Sequence, residues 1–202
     1  MKIPSKYIEN AVEQLSSLPG IGKRTALRLV LQLMKRSDLE VRQFSEAFLD
    51  MKLNVVHCQS CGNVSDAEIC AICSDEKRDQ STICVVEDIR DVLAIEATQT
   101  YRGIYHVLGG IISPMDGVGP TDLNILPLIE KARDHKINEV IFALSPTMEG
   151  DTTNFYLYKK LKEFEIQITT LSRGVSVGSE LQYADELTLG RSLINRQPFK
   201  TN

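Results

Sequence analysis

No stretch of this chain approaches the roughly 20 apolar residues that span a bilayer, and no charged-then-apolar segment opens it as a secretory signal would. A membrane protein and an exported one are both excluded as readings, and the cytoplasm is the expected compartment. Nowhere does a Gly-x-x-x-x-Gly-Lys-Ser/Thr loop occur, so ATP hydrolysis is not expected. Cysteine is scarce, at five in 202 residues. Too few are present for a disulfide scaffold, and reduced thiols again suit the cytoplasm.

Four of the five are nonetheless close together, as Cys58-x2-Cys61 and Cys70-x2-Cys73 with eight residues between the pairs. Each pair brings two thiolates to one ion across a tight turn, and two such knuckles close a tetrahedron. Four sulfurs leave no coordination position for water or substrate, so the expected ion is one structural Zn²⁺ per chain. A redox pair of the thioredoxin kind needs one Cys-x-x-Cys opening a helix after a strand. Here both pairs lie in a polar segment rich in Ser, Asn, Asp and Lys. His57 adjoins the first cysteine but is not needed as a ligand. Cys84, in the apolar run Thr82–Val86, reads as a small buried residue.

Charge is unevenly spread. Residues 1–36 hold seven basic side chains (Lys2, Lys6, Lys23, Arg24, Arg28, Lys35 and Arg36) against Glu9 and Glu13, a net of +5. The remainder carries 16 basic and 25 acidic residues, a net of −9, consistent with −4 overall. A basic arm on an acidic body suggests that the arm meets a polyanion, although a merely solvated helix face would look the same by charge alone.

The arm carries a second signal. Ile8, Val12 and Leu15 mark one helix face; Ala26, Leu29, Val30 and Leu33 mark another, over a helix from near Lys23 to about Lys35. Pro19-Gly20-Ile21-Gly22 separates them. Without Cβ atoms at Gly20 and Gly22, a phosphate can approach the turn's N–H groups, and the following helix adds its positive end. Lys23, Arg24 and Arg28 follow at once and can reach flanking phosphates. This pattern resembles the helix-hairpin-helix modules that grip nucleic acid without reading sequence; the competing reading is a plain αα-hairpin. Leu39, Phe44, Phe48, Leu49, Met51 and Leu53 predict a third helix whose expected role is core packing.

From about Ser81 strand and helix alternate. TICVVE, GIYHVLG, NEVIFAL and IQITTL read as strands; IRDVLAIEAT, DLNILPLIEKARDH and TTNFYLYKKLKEF read as helices. Such alternation predicts an α/β fold with a mostly parallel sheet covered on both faces, and working residues at the carboxyl ends of its strands. Two places fit that rule. Glu87, with Asp88 and Asp91, closes the first strand, and Ser145–Asp151 closes the third. The glycine- and proline-rich stretch from Gly109 to Pro120 makes a long loop between them, functional or merely superficial.

The order of these parts, with VVED, YHVLGGIISPMDGVGP, SPTMEGDTT and the tail RGVSVGSELQYADELTLGRSL, resembles the RecR family of bacterial recombination mediators over nearly the whole chain. The resemblance implies a helix-hairpin-helix region over 1–53, a four-cysteine zinc module over 54–77, a Toprim domain over 78–172 and a Walker-B-like oligomer-contact region over 173–202. It implies a non-enzymatic, DNA-binding mediator of recombinational repair, associated with the nucleoid. Such a protein helps load RecA on single-stranded DNA with RecO and RecF. Further implications are sequence-independent contact with single- and double-stranded DNA, and dimers joined into a ring-shaped tetramer. The Toprim pattern uses an acid after the first strand, matched by Glu87, and an Asp-x-Asp ahead of a Glu-Gly pair. Aligned on Glu149-Gly150, the two aspartate positions hold Ser145 and Thr147. Glu87, Glu149 and Asp151 remain, enough for a partner contact or a weakly held Mg²⁺. A Toprim nuclease or primase and a zinc-bearing protein adaptor are the alternatives. Ser145 and Thr147 weigh against the enzyme; Lys23, Arg24 and Arg28 weigh against the adaptor.

Overall fold

A computed structural model describes residues 3–134, 136–175, 178 and 180–198. His135, at the end of the second predicted helix of the body, lies outside the described residues, as do Ser176, Val177, Ser179 and 199–202 of the tail. The chain forms two compact units, Met1–Val55 and Val56–Asn202.

The first unit is helical: α1 (Lys6–Ser16), α2 (Lys23–Leu33) and α3 (Asp38–Asn54). Ser5 caps α1 by accepting from the Ile8 N–H. Ser37 and Glu40 form a reciprocal capping box on α3. Val12, Ala26 and Val30 are the buried centre of the unit, with Ile8, Ala11, Leu15, Ile21 and Leu27 packed around them. The predicted role of α3 needs correction. None of its residues is buried within the chain; Leu39, Phe44, Phe48, Leu49, Met51 and Leu53 all remain exposed. The cause lies in the spread of its apolar residues around the helix, which gives no single stripe for α1 and α2 to cover.

The second unit opens with a two-stranded antiparallel ribbon, β1 (Val56–His57) and β2 (Val64–Ser65), followed by the short helix α4 (Ala71–Ser74). Then come β3 (Asp79–Val86), α5 (Ile89–Ala97), β4 (Gly103–Val107), α6 (Leu126–Arg133), β5 (Glu139–Phe142), α7 (Met148–Leu161), β6 (Gln167–Thr170) and α8 (Glu186–Ile194). The strands from β3 onward all pair in parallel, in the order β4-β3-β5-β6. Because side chains alternate along a strand, Ile83 and Val85 point into a core with Leu128, Leu157 and Leu161 from α6 and α7. Cys84 and Val86 point the other way, onto Val92 of α5. The sheet is therefore buried on both faces, as the continuous apolar strand TICVV requires.

Two helix starts differ from the sequence reading. The helix expected from Asp122 starts at Leu126, after a 3-10 turn over Pro120–Asp122 whose Asp122 carboxylate accepts from the Gly119 N–H. The helix expected from Thr152 starts at Met148, because Thr147 caps it through the Gly150 N–H. In the tail, Glu186–Ile194 forms helix α8, which Asp185 caps by accepting from the Thr188 N–H at 2.8 Å.

Candidate nucleic-acid interface, metal centre and strand-end acids

In the helical unit the turn between α1 and α2 puts Gly20 at φ 81°, a conformation a side chain would strain. Gly22 is the N-cap of α2 and offers no side-chain cap. A Cβ built at either glycine would meet nothing within 4 Å. Packing therefore explains neither residue; Gly20 answers to the turn, and both leave the backbone open to an approaching group. The first turn of α2 contains no acidic residue, and its leading amides have no cap. Lys23, Arg24 and Arg28 are exposed, and among the described residues none forms an ion pair. The turn and its three cations thus offer backbone donors and unspent positive charge on one short segment.

The four cysteines converge. Cys58, Cys61 and Cys70 are buried, Cys73 is half-buried, and all four sulfurs lie within 4.8 Å of one another. Cys61 Sγ and Cys70 Sγ are 3.6 Å apart, close to the ~3.8 Å edge of a tetrahedron with metal–sulfur bonds of about 2.3 Å. The local fold produces this directly. β1 and β2 close the first knuckle through Cys58 N–H to Asn63 O at 2.7 Å, and the N-terminus of α4 carries Cys70 into the second. The Cys70 N–H also donates to Cys58 Sγ at 3.3 Å, a bond that favours thiolate. Hydrogen bonding from Cys61, and then from Ser60 and the other cysteines, holds Cys73 at about 5, while the same contact with Cys73, together with burial, pushes Cys61 up. Four thiolates so close need a cation between them. Among the described residues this is the group of three or more potential metal-binding side chains gathered tightly enough to hold an ion, and a soft four-sulfur set fits Zn²⁺.

The strand-end acids are brought to one edge but not to one point. β3 and β5 are neighbours, and the chain leaves them toward opposite sides of the sheet, β4 on one and β6 on the other. Glu87 and Ser145–Asp151 therefore flank the switch point where open α/β sheets bind their ligands. Glu87 is half-buried; burial, then the neighbouring Asp91 and Asp88, raise its carboxyl above the usual range. Asp91 is spent locally, accepting from the Glu87 and Asp88 N–H groups. Glu149 and Asp151 lie in the first turn of α7. Asp151 is taken by the tail: Arg173 donates to it at 2.5 and 3.1 Å and holds its carboxyl low, with Arg191 at 3.8 Å. Among the described residues these carboxylates do not gather into a cation-holding cluster, so the weakly held Mg²⁺ expected there finds no support.

Gly150 shows why the Glu-Gly pair belongs here. A Cβ on it would stand 2.0 Å from the Ser145 carbonyl oxygen, so only glycine lets α7 start so close to the end of β5. Sequence reasoning missed Arg173, Arg191, Asn124 and Thr153, whose partners are far away in the chain. It also missed the clamp in which Arg78 donates to both Glu96 carboxylate oxygens while Tyr105 donates to one of them. None of these carries a local motif. Cys84 is as expected: buried, with its thiol pushed up to about 12 by burial first.

The chain thus combines a helical hairpin with three exposed cations unpaired among the described residues, a four-sulfur knuckle and a parallel sheet with an acid at its switch point. The parts match family models in the same order. Residues 8–52 match the RecR helix-hairpin-helix, 55–75 the RecR four-cysteine zinc finger domain, 81–172 the Toprim domain and 174–197 the RecR C-terminal region. A protein named Recombination protein RecR from Flavobacterium johnsoniae is 58% identical, covering 99% of this chain and 97% of its own. Similarly named proteins from Bacteroides thetaiotaomicron (56%; 97% and 96%) and Porphyromonas gingivalis (52%; 98% and 96%) also align nearly end to end. The chain belongs to the RecR family.

Proposed function

We propose that this protein is a non-enzymatic, DNA-binding mediator of recombinational repair. It helps load RecA onto single-stranded DNA together with RecO and RecF, working as a ring built from copies of itself. The observation that carries this reading is the open Gly20–Gly22 turn followed by three exposed cations without ion pairs among the described residues. Phosphates meet backbone donors and point charges there, and no groove-reading helix is needed, so binding is independent of sequence and extends to single and double strands.

Self-association follows from the same unit. α3 exposes Phe44 and Phe48, stacked edge to face at 5.0 Å, with Met51 at helical spacing on the same face, and Leu49 and Leu53 exposed on another. A second copy is the occupant that fits, because a small helical unit with three buried residues among those described gains most by sharing apolar surface with its like. Dimers joined into a tetramer multiply the basic turns facing DNA, and several weak phosphate contacts then act as one. When bound, zinc supplies structural cross-linking of Cys58, Cys61, Cys70 and Cys73, one ion per chain. The body keeps a Toprim scaffold without phosphoryl chemistry: Thr147 is spent capping α7 and Asp151 on arginines. Glu87 and Glu149 remain as contacts for a basic patch on RecO, in the cytoplasm at the nucleoid.

The deciding experiment measures DNA binding against salt for the wild type and the Arg24→Glu, Arg28→Glu double variant. Weaker binding to every sequence with a shallower salt slope supports the reading; unchanged binding at moderate salt removes it. Cleavage or primer synthesis with Mg²⁺ or Mn²⁺ that is lost in Glu87→Ala would favour the Toprim enzyme instead.

A further inference from the structure

The cysteine knuckle is joined to the sheet through its backbone. Cys61 contributes its sulfur to the metal-binding set and its carbonyl to the sheet, where the Val107 N–H donates to it at 2.7 Å. β4 is an edge strand, so this bond occupies a donor at its carboxyl end that would otherwise have no partner strand. The next residue, Gly62 at φ 77°, fits so closely that a Cβ would lie 2.6 Å from Asn124 Nδ2 and 2.8 Å from Val107 O. Asn124 links the same strand end from the other direction. Its side-chain amide donates to Val107 O at 3.2 Å and its N–H to Leu108 O at 2.9 Å, while its own carbonyl accepts from His106 Nε2 at 2.5 Å.

Where β4 ends, the glycine-rich loop over the strand ends begins. Gly109 N–H donates to Glu87 O, and Ile112 N–H to the buried Thr153 hydroxyl of α7, each at 2.9 Å. A continuous run of hydrogen bonds and tight contacts therefore extends from the metal ligands to the loop beside Glu87.

We propose that metal occupancy of the knuckle controls the order of the 109–119 loop through Cys61, Val107 and Asn124. The knuckle is then an input to the strand-end surface as well as a local staple. The physical reason is that the position of the Cys61–Gly62 peptide depends on the four sulfurs being held together. Once they separate, the Val107 N–H and carbonyl and the Asn124 amide lose partners in a site too close-packed for easy substitutes. The inference rests on the zinc reading of the four cysteines.

Hydrogen-exchange mass spectrometry on the full chain tests it, comparing zinc-loaded and chelated protein with zinc content measured in both. Chelation should speed exchange over residues 107–113 by about tenfold, the factor for losing one ordinary hydrogen bond. The α6 and α7 interiors should stay protected. If only the 55–75 segment speeds up, the proposal is overturned. Should chelation unfold the whole chain, Asn124→Ala decides, since it keeps all four cysteines. Full zinc content with faster exchange over 107–113 supports the path; full zinc content with wild-type protection overturns it. A freshly purified chain without zinc would overturn the metal reading and this proposal together.

Discussion

The two compact units solve the burial problem in opposite ways. In Met1–Val55 three of the described residues are buried and the longest helix buries nothing within the chain; in Val56–Asn202 the sheet is covered on both faces by the helices that connect its strands. The first is held by local devices: Ser5 and the Ser37–Glu40 box at helix starts, and a glycine at φ 81° in the turn. The second is held by contacts between residues far apart, from Arg78–Glu96 to Ile112–Thr153. A unit built from local signals is left with apolar surface to share and cations to spend. One built from distant contacts offers instead the ends of its strands.

Breaking the metal centre gives the largest expected effect. Cys58→Ser should drop zinc content well below one ion per chain and cost the local folding of the 55–75 segment or solubility, because binding energy for a four-thiolate ion, of the order of 10 kcal/mol, is the folding energy of the module it closes. Metal analysis alongside circular dichroism checks this.

Next comes the contrast between the two cores. Leu157→Ala, in the two-sided core, should cost about 2–5 kcal/mol in chemical denaturation. Phe48→Ser on α3, a residue 56% exposed, should leave that transition within about 0.5 kcal/mol while lowering the mass of the proposed assembly in light scattering. A fall in stability without a fall in mass would assign α3 to its own chain's core after all.

The charge prediction is smaller. Arg24→Glu or Arg28→Glu should flatten the logarithmic salt dependence of DNA binding by roughly one unit per lost phosphate contact, equally across sequences, with thermal stability unchanged.

Smallest is the tail contact. Asp151 has a folded pKa below its unfolded value because Arg173 pairs with it. Its contribution is thus present above the ordinary carboxylate range, near pH ~4, and is lost as pH falls through the lower folded value. The Asp151 side chain is 43% exposed, so solvent screening limits the effect to about 1 kcal/mol at most. Asp151→Asn should show that loss at neutral pH and a flatter acid limb in denaturation.

Much was legible in the chain itself, wherever chemistry and neighbours in sequence coincide. Two Cys-x-x-Cys pairs name their own metal, because a turn of four residues fixes two sulfurs. Gly20, Gly22 and the cations after them are one segment. Strands of β-branched residues alternating with amphipathic stretches fix a parallel sheet, since each run has the period of its element. Starts of helices were read less well: Thr147 and Asp185 cap α7 and α8 at positions where hydroxyl and carboxylate could equally serve a turn or an active site. Tertiary structure alone decided what the remaining side chains face. It gave Asp151 to Arg173 and Arg191, which follow it in the sequence by more than a helix. It left α3 uncovered, and it pressed Gly62 against Asn124. Such pairings depend on strand order and on which side of the sheet each crossover falls. They are set by the burial of the whole sheet, and no short stretch of sequence encodes them.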